Sequence, residues 1–575
     1  MSHLRPEITE RARALVALYP HPRSALIPLC HLAQEQDGWL RPEAIEELAE
    51  LCGVTAAEVQ GTASFYDMLH TEPVGTYVVA VCTNIACMLD GALELLVHAE
   101  STLGVRAGGT TPDRMFTLHE SECLADCDRT PCVQVNHRFV GAQTAESFDA
   151  LLDDLRAGRL ADTIPPHGTL VRVRRSVGLQ ADRAAVAAEV DAASLLGRGG
   201  AGFPAGRKWS MLRKNPVTYL AVNGDESEPA TFKDHMLIER DPHQILEGVL
   251  ISAYALQVTL AFVYVRGEFA LGLERMESAL NEAYAHGAVG ADIFGSGFSL
   301  DVVVHPGAGA YICGEETAML ESLEGKRGFP RIKPPYFPAA IGLYGEPTVV
   351  NNVETMANIP WIVLNGGAAF AALGEGRSTG TRLFALAGHV RNPGNYELEM
   401  VKTTFYDLIY APVLGGGIRG GNTLKAFIPG GVSAPWFGPD QVALPLGQDE
   451  VGDAGSMLGS GSVVVMDSDT CMVRAAWRIT KFFFRESCGQ CTPCREGSGW
   501  LERILYRIEN GAGREADLDL LMDLCDNISP GVNWPPQQTT ICVLGPSIPS
   551  SIASGIRMFR DEFLVHVKEG GCPFD

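Results

Sequence analysis

Three cysteines within seven residues constrain the possible fold and chemistry of this chain more than any other sequence feature. The stretch ESCGQCTPCREG, residues 486–497, places Cys488, Cys491 and Cys494 in the spacing C-x2-C-x2-C. This spacing is a strong signal for an iron–sulfur cubane, and zinc or unclustered thiols are the weaker alternatives. Because either centre takes four ligands, a fourth ligand must come from elsewhere. The candidate thiols are Cys471, Cys525, Cys542 and Cys572.

A second group of cysteines lies near the N-terminus. CTNIAC and CLADC contribute two pairs, Cys82 with Cys87 and Cys123 with Cys127. The gaps of four and three residues are wider than the C-x2-C knuckle of most zinc sites and suit a two-iron cluster. The spacing alone leaves zinc open, and buried unpaired cysteines are the remaining alternative. Cys132, which follows directly, is predicted to be a packing residue.

Composition narrows the class of protein. The N-terminus carries no apolar signal sequence, and fifteen cysteines without secretion indicate a reducing, cytoplasmic compartment. With 45 Lys+Arg against 69 Asp+Glu, the net charge of −24 argues against a nucleic-acid or anionic-membrane surface. One uncharged stretch, 248–265, reaches the minimum length of a membrane span, but a helix followed by a buried strand is the better interpretation.

A chain of 575 residues is too long to fold around a single hydrophobic core. Its pattern of predicted helices and strands indicates a multidomain protein of α/β and α segments. The expected units are a helical bundle over 1–75, an α/β domain over 76–165, a doubly wound α/β domain over 168–372, a small β-rich domain over 378–460 and a helical domain over 461–566.

A glycine-rich stretch, GRGGAG, opens the third unit. Its glycines Gly197, Gly199 and Gly202 match G-x-G-x-x-G, but the preceding segment is alanine-rich and predicted to be helical. A Rossmann fingerprint must follow a strand, so this is not a standard Rossmann turn. Backbone N–H groups in such a loop can still approach an anion, with Arg198, Arg207 and Lys208 as flanking cations. An unligated flexible loop is the plainer alternative.

Three further polar stretches follow predicted strands of the same unit. Solvated acids are the usual explanation of such runs, but polar groups at the carboxyl ends of strands are well placed to bind a nucleotide. No P-loop, H-E-x-x-H or G-x-S-x-G motif offers another chemistry. The polar residues are Asn223, Asp225, Glu226, Ser227 and Glu228, then Tyr311, Glu315 and Glu316, and finally Asn351, Asn352 and Thr355.

Together these stretches resemble the NADH-oxidising flavoprotein subunit of respiratory complex I and its relatives in NAD-linked hydrogenases and formate dehydrogenases. The motifs are GRGGAGFPAGRKW, DESEPATFKD, GAGAYICGEET, KRGFPRIKPP, NNVET and ESCGQCTPCREG, spread over 168–566. Residues 1–165 are similar to the partner two-iron subunit, through ASFYDML, CTNIAC and CLADC. The chain is therefore identified as a fusion of the two.

The resemblance implies a fold and a set of cofactor-binding residues. Residues 76–165 would be thioredoxin-like and carry a 2Fe-2S cluster, and 378–460 would be ubiquitin-like, of the SLBB type. FMN would lie on Gly197, Arg198, Gly199, Gly200, Gly202, Lys208, Asn223, Asp225, Glu226, Ser227, Tyr311, Gly314, Asn351, Asn352 and Thr355. NADH would stack above it near Phe203, Glu228, Glu315, Glu316, Lys333 and Tyr336, with Glu228 and Glu316 as the catalytic-site carboxylates.

The resemblance also implies that Cys542 completes a 4Fe-4S cluster. Its short apolar stretch can hold a thiolate rigidly. By contrast, Cys525 lies on the apolar stripe of a helix, Cys572 lies near the mobile chain end, and Cys471 is distant from the triplet along a helix. One departure from the family concerns the nucleotide: KPPYFPA is one residue longer than usual, so Tyr336 or Phe337 could take the aromatic position.

The expected function is electron input. A hydride would pass from NADH to FMN, or back to NAD+, and single electrons would continue through both clusters to further iron–sulfur or metal-cofactor subunits. A diaphorase subunit of a formate dehydrogenase or hydrogenase is the alternative in the same class. A zinc-bound scaffold and a plain dehydrogenase are the others. We expect no nucleic-acid partner and no membrane insertion, with attachment to the inner membrane only through partner subunits.

Overall fold

The computed structural model describes residues 3–167, 183–213, 215–532 and 534–574. Within these ranges the chain forms three four-stranded sheets, each surrounded by helices. The predicted boundary at residue 168 lies outside the described residues.

The N-terminal segment is helical, as predicted. Pro42 begins the third helix, where the missing N–H of proline costs nothing. Thr55 and Glu58 cap the fourth helix reciprocally, with the Glu58 carboxylate 2.9 Å from the Thr55 backbone N. These helices are α1 (Pro6–Val16), α2 (Leu26–Asp37), α3 (Pro42–Cys52) and α4 (Ala56–Ala63).

The first sheet belongs to the thioredoxin-like unit. Its strand order is β2-β1-β3-β4, with the β1–β2 pair parallel and β3 antiparallel to both of its neighbours. The elements are β1 (Tyr77–Cys82), α5 (Ile85–Leu89), α6 (Ala92–Leu103), β2 (Phe116–Ser121), β3 (Cys132–Val135), β4 (Arg138–Ala142) and α7 (Ala145–Arg156).

The second sheet is fully parallel, in the order β7-β6-β5-β8. The segment 248–265 divides between a helix and a strand of this unit, as predicted, and no helix in the described ranges could span a membrane. The elements are α8 (Arg183–Ala192), α9 (Ala205–Ser210), β5 (Tyr219–Gly224), α10 (Lys233–Arg240), α11 (Pro242–Leu256), β6 (Leu260–Val265), α12 (Ala270–Ala285), β7 (Asp301–Pro306), α13 (Glu316–Leu323), β8 (Thr348–Asn352), α14 (Val353–Asn365) and α15 (Gly367–Ala371).

Both faces of the parallel sheet are covered, by different parts of the chain. Leu220, Val222 and Val263 pack against the helices that follow them in sequence. Their strand neighbours point the other way and join a core shared with α1–α4. There the Tyr19 ring stacks on Phe262, and its hydroxyl lies 2.8 Å from His305 Nδ1. The segment 1–75, predicted as a separate bundle, therefore shares its core with the parallel sheet, as a parallel sheet requires cover on both faces.

The third sheet lies in the small β-rich unit, in the order β10-β9-β12-β11. The predicted boundary at 460 is one strand too early, because 462–467 forms an inner strand paired with both of its neighbours. Strand pairing across more than seventy residues leaves no local signal. The elements are β9 (Thr381–Gly388), β10 (Gly394–Glu399), α16 (Phe405–Tyr410), β11 (Leu424–Ile428), α17 (Gln448–Asp453) and β12 (Ser462–Asp467).

The C-terminal unit is helical, as predicted. Its first helix is long and strongly amphipathic, and it packs mainly on the second. The helices are α18 (Met472–Glu486), α19 (Thr492–Glu509), α20 (Ala516–Ile528), α21 (Leu544–Met558) and α22 (Arg560–Glu569).

Candidate functional site

A crevice opens at the carboxyl end of the parallel sheet, between β5 and β8. The chain leaves β5 toward β6 and β7 and then returns to place β8 on the other side of β5. Such a reversal of strand order is where open α/β sheets bind ligands. Asn223 at the end of β5 lies in register with Asn352 at the end of β8. The predicted loop 350–355 is thus a strand-to-helix junction, with the Asn352 amide at the crevice.

The glycine loop lies across this crevice, between α8 and α9, in the helix-flanked context predicted. A Cβ added to Gly199 would lie 3.2 Å from the Asn352 side chain, so glycine is what allows the approach. Gly202 has a φ of +60°, which favours glycine. The Arg198 backbone N donates to Thr355 Oγ1 at 2.9 Å. The loop is therefore fastened to the start of α14.

Arg198 does not flank the crevice as a cation. Its guanidinium is buried and donates to the carbonyls of Thr379 and Thr381, at 2.9 and 2.8 Å. The expected anion contact of this side chain is therefore wrong, and the side chain instead ties the glycine loop to the β-rich unit. Lys208, in contrast, points toward β8 and donates to the Val350 carbonyl at 2.9 Å.

The acidic stretch after β5 divides between two directions. Asn223 Nδ2 donates to the Gly314 carbonyl at 2.9 Å, and Ser227 donates to Asp225 at 3.0 Å. Burial raises the pKa of Asp225 to about 7. Glu226 turns away and accepts from the backbone N–H groups of Asp234 and His235, in the first turn of α10, at 2.9 Å each. The expectation that its side chain faces the cofactor is not met, because it serves as a helix cap.

Sequence reasoning missed the charges beneath the crevice. Lys233 is buried between Asp234 and Glu354, at 2.8 and 3.0 Å. Asp234 in turn accepts from Asn352 Nδ2 at 2.6 Å. A buried cation needs such pairing, and the network holds Asn352 in place. The sequence signal, a lysine next to an acid, is too common to single out.

Two glutamates and two lysines line the mouth of the crevice. Lys333 Nζ lies 2.7 Å from Glu315 and 2.9 Å from Glu316, and Lys208 lies 3.4 Å from Glu316. Although burial opposes it, the two ammonium groups hold the pKa of Glu316 below its usual value. Glu315 also caps α13 through two backbone N–H groups at 2.9 Å. The two carboxylates are therefore held in place before any ligand arrives.

Three aromatic rings near this mouth face solvent. Phe203 is 38% exposed, Tyr336 42% and Phe337 48%. An exposed aromatic face can stack on a planar ligand, so these three rings are candidates for such a contact. Both aromatics of KPPYFPA remain candidates for the position beside the nucleotide.

Tyr311 links the crevice to the helical unit. Its hydroxyl donates to Glu228 at 2.6 Å, and Glu228 also accepts from the Ser433 backbone N at 2.8 Å. Burial raises the pKa of Glu228 above its usual value. The Tyr311 ring meets the Phe482 ring of α18 edge-on, with 4.9 Å between their centres. The Tyr311 backbone N–H donates to Glu486 at 2.9 Å. Glu486 ends α18, two residues before Cys488.

The C-terminal thiols meet at the start of α19. Cys491 occupies the N-cap position of this helix, and Cys494 lies in its first turn. The Ile541 backbone N lies 3.2 Å from Cys491 Sγ, which places Cys542 beside the triplet. Burial, with Cys488 and Cys494 nearby, raises the pKa of Cys542 to about 12. A bound metal ion would favour the thiolate form there.

The remaining candidates for a fourth thiol lie elsewhere. Cys525 is fully buried in the packing of α20, as predicted. Cys471 and Cys572 contact each other at the far end of α18. The expectation that Cys572 is a mobile chain end is therefore not met.

The N-terminal quartet is also assembled. All four side chains are buried: Cys82 ends β1, Cys87 lies in α5, and Cys123 and Cys127 lie in the segment after β2. Hydrogen bonds from Cys127 and Cys82 lower the pKa of Cys123 well below that of a free thiol. Cys132 is buried beside them, and its backbone N lies 3.4 Å from Cys87 Sγ. Cys132 contributes packing here, as predicted.

One arginine that sequence reasoning missed joins this quartet to the crevice. Arg266, just after β6, donates to the Cys123 carbonyl at 2.5 Å and to the Glu226 carbonyl at 2.9 Å. Its charge is held by Glu268 at 2.8 Å. The two loops therefore share one guanidinium, and a cavity of about 390 Å³ lined by Cys123, Ser227 and Tyr311 lies between the units.

The residues present fit a flavin nucleotide and two iron–sulfur clusters. A glycine loop with Lys208 beside it suits a phosphate, and the amides at the strand ends suit a ring edge and hydroxyl groups. Gly314 approaches so closely that an added Cβ would lie 3.3 Å from the Asp225 carbonyl, which keeps the loops together around the crevice. Each thiol group supplies four sulfurs, the number that either cluster takes.

Three family models match this chain along most of its length. The thioredoxin-like [2Fe-2S] ferredoxin model matches residues 12–156, the Nuo51 FMN-binding domain 190–361, and the NADH-ubiquinone oxidoreductase-F iron-sulfur binding region 474–566. With the geometry above, they define an FMN- and iron–sulfur-dependent NADH oxidoreductase. The predicted fold class and cofactors are confirmed.

Individual relatives narrow this class. The second F-type subunit of the NADH-quinone oxidoreductase of Rhizobium meliloti is 48% identical over 423 residues, which is 73% of this chain and 97% of the relative. The F-type subunit of the Mycobacterium bovis enzyme is 50% identical over 387 residues, 66% of this chain and 84% of the relative. The chain belongs to the family of NADH-quinone oxidoreductase F-type subunits.

A solved structure covers more of the chain than these relatives do. The crystal structure of an NAD+-reducing [NiFe]-hydrogenase in the H2-reduced state matches with a TM-score of 0.83 and 29% identity. The match covers 95% of this chain and 93% of the hydrogenase chain. Both the two-iron unit and the flavin unit therefore have counterparts in one polypeptide, which confirms the fused architecture.

Proposed function

We propose that this chain is the electron-input module of a larger redox complex, oxidising NADH and delivering single electrons to a partner subunit. One observation carries the proposal. The crevice between β5 and β8 is joined by Tyr311 to the helix that leads into the cysteine triplet, and by Arg266 to the N-terminal quartet. These contacts support a nucleotide site and two metal sites within one packed body.

FMN supplies the chemistry of accepting a hydride and releasing electrons one at a time. The residues around it bind and orient. Lys208 and the N–H groups of Gly199–Gly202 would neutralise the phosphate. Asn223, Asp225 and Ser227 would bind ring-edge and hydroxyl groups, with Gly314, Asn351, Asn352 and Thr355 shaping the other wall.

The mouth of the crevice would hold NADH. Phe203 and either Tyr336 or Phe337 offer exposed faces for stacking. Glu315 and Glu316, held by Lys333, can accept hydrogen bonds from ribose hydroxyls. Glu228 would close the inner end of the site beside Tyr311. Hydride transfer needs alignment and exclusion of water more than a general base, which fits the absence of a histidine among the crevice residues named above.

The two quartets would hold the clusters. Cys488, Cys491, Cys494 and Cys542 would ligate the 4Fe-4S cluster, and Cys82, Cys87, Cys123 and Cys127 the 2Fe-2S cluster. Contact between the Cys491 sulfur and the Cys542 segment supports the first assignment. The shared burial and hydrogen bonding of the N-terminal four support the second.

A second candidate is the diaphorase subunit of a soluble NAD-linked hydrogenase or formate dehydrogenase, working in either direction of electron flow. The end-to-end match to the NAD+-reducing hydrogenase chain favours it, whereas the quinone-oxidoreductase relatives leave about a quarter or more of this chain unmatched. Either host would place the chain in the cytoplasm, and an NADH-quinone oxidoreductase would attach it to the inner membrane through partner subunits.

The test uses chain purified without oxygen. We expect flavin and iron–sulfur absorption that NADH bleaches, and NADH-dependent reduction of a small artificial acceptor. Colourless protein with bound zinc would instead identify a scaffold. Affinity purification of the tagged chain from its own host then separates the two candidates, because quinone-reductase subunits or a hydrogenase or formate dehydrogenase subunit would accompany it.

A further inference from the structure

Four metal-binding side chains meet at the end of α18 that is remote from the cysteine triplet. They are Cys471, Glu509, His566 and Cys572, and one ligand atom from each lies within 4.8 Å of all the others. Cys471 Sγ is 3.2 Å from His566 Nε2 and 3.6 Å from a Glu509 oxygen, and that oxygen is 3.5 Å from Nε2.

These three separations are near the edge lengths of a tetrahedron around zinc. With Zn–S near 2.3 Å and Zn–N or Zn–O near 2.1 Å, adjacent ligand atoms would be roughly 3.4–3.8 Å apart. Two sulfurs, one imidazole and one carboxylate also form a mixed ligand set that zinc accepts.

Three of the four potential ligands are oriented toward this point by a neighbour. His566 Nδ1 is 2.9 Å from the Glu562 carbonyl, which leaves Nε2 to face the cluster. Glu509 uses one oxygen for Arg474, at 2.6 Å, and turns the other inward. Cys471 caps α18, with its sulfur 3.3 Å from the Arg474 N–H. Outer hydrogen bonds of this kind orient ligands in metal sites, and a helix N-terminus favours thiolate.

We propose that Cys471, Glu509, His566 and Cys572 bind one Zn²⁺ in a closed, structural site. Binding releases the two thiol protons to solvent. Two thiolates and a carboxylate give the occupied site a charge of −1, which Arg474 balances. Four protein ligands leave no position for a catalytic water. Three of the four side chains are buried, and Cys572 is half-buried, which suits a structural role.

The metal would fasten the C-terminal unit together. It would join the N-cap of α18, the end of α19, α22 and the segment after α22. The opposite end of α18 leads to the predicted cluster ligand Cys488, so zinc would stabilise the helix that the cluster depends on without contacting the cluster.

The experiment measures metals in the full chain, expressed with zinc and purified anaerobically. We expect one zinc per chain in addition to iron, and an X-ray absorption spectrum at the zinc edge with two sulfur and two nitrogen or oxygen neighbours. Cys572→Ser and His566→Gln should each lose this zinc and lower the unfolding temperature while iron and flavin stay unchanged. Cys525→Ser is the control, since Cys525 is a buried thiol of the same unit outside the cluster.

Three results would overturn the proposal. They are wild-type chain without stoichiometric zinc, variants at Cys572 and His566 that retain it, and a Cys471–Cys572 disulfide in anaerobically purified chain. Zinc bound only at the N-terminal quartet would also contradict the proposal, because the Cys572 and His566 variants would retain it.

Discussion

Glu316 lies between two ammonium groups and is ionised at neutral pH. If it faces the adenosine ribose as proposed, its charge would repel the 2′-phosphate of NADPH. We expect Glu316→Gln to raise the ratio of kcat/KM for NADPH to that for NADH about tenfold, which corresponds to about 1.4 kcal/mol. Glu321→Gln, on the same helix but paired with Arg331, is the control. An unchanged ratio in the Glu316 variant would contradict the assignment.

Cys542 is the residue on which the C-terminal cluster assignment depends. Cys542→Ala should abolish the four-iron signal in electron paramagnetic resonance while flavin stays bound. NADH oxidation by a small artificial acceptor should largely survive, and delivery to the natural partner should fail. Cys525→Ala serves as the matched control, because that thiol packs in α20. A persistent four-iron spectrum in the Cys542 variant would transfer the ligand to another residue.

At the residue scale, the sequence predicts which residues lie near the site better than it predicts where their side chains point. Asn223 and Asn352 are identifiable because they follow strands, and strand ends share an edge of the sheet. Arg198 and Glu226 stand in the same motifs, but their side chains serve the β-rich unit and the cap of α10. That choice depends on packing partners that are distant in sequence. The meeting of Cys471 with Cys572, about a hundred residues apart, is hidden for the same reason.

Helix α18 is the element that connects the two metal units. Arg478, Lys481 and Arg485 follow one face of it at helical spacing and meet Glu120, just before Cys123. Although burial opposes ionisation, these three cations lower the pKa of Glu120 to about 2. The triplet of cysteines begins directly after this helix, so the same element docks one unit and presents the other.

Removing the Glu120 charge should loosen this docking. Glu120→Gln would leave the buried Arg478 without its carboxylate, at a cost of roughly 1–3 kcal/mol. We expect a lower unfolding temperature at pH 7, with Glu146→Gln, an exposed carboxyl of the same unit, as the control. Because the folded-state pKa lies below the ordinary 4.5, this stabilisation is complete above that pH and is lost as pH falls toward 2. The difference in unfolding temperature between wild type and variant should therefore shrink in acid. A difference that does not change with pH would show that the Glu120 charge is not the source of the stabilisation.

Elements are predictable where their signal is local. The β-branched run of 76–82 predicts a strand, and β1 covers 77–82. The boundary at 460 is wrong because β12 joins the third sheet through pairing with β9, far away along the chain. Helix caps and the alternation of apolar and polar residues in a strand are set by neighbouring residues. The sheet that a strand joins is set by partners that are distant in sequence.

At the scale of the whole molecule, two complete quartets predict six irons per chain, with matching acid-labile sulfide. Iron and sulfide assays, with one FMN per chain as the internal reference, measure this directly. Iron near four, accompanied by zinc that the Cys572 and His566 variants do not remove, would show that the N-terminal quartet holds no two-iron cluster.

The shared core between α1–α4 and the parallel sheet has a further consequence. A polypeptide without residues 1–75 would expose the part of the Phe262 face that packs on α1–α4, unless another chain covered it. Expressed as two pieces, the halves should therefore behave as an obligate pair, unable to stay folded apart. Covalent fusion removes the concentration dependence of that pairing and much of its association cost, roughly 4–15 kcal/mol. Fusion also fixes the ratio of the two-iron unit to the four-iron unit at one to one. For separate subunits, that ratio would depend on the amount of each subunit and on their association.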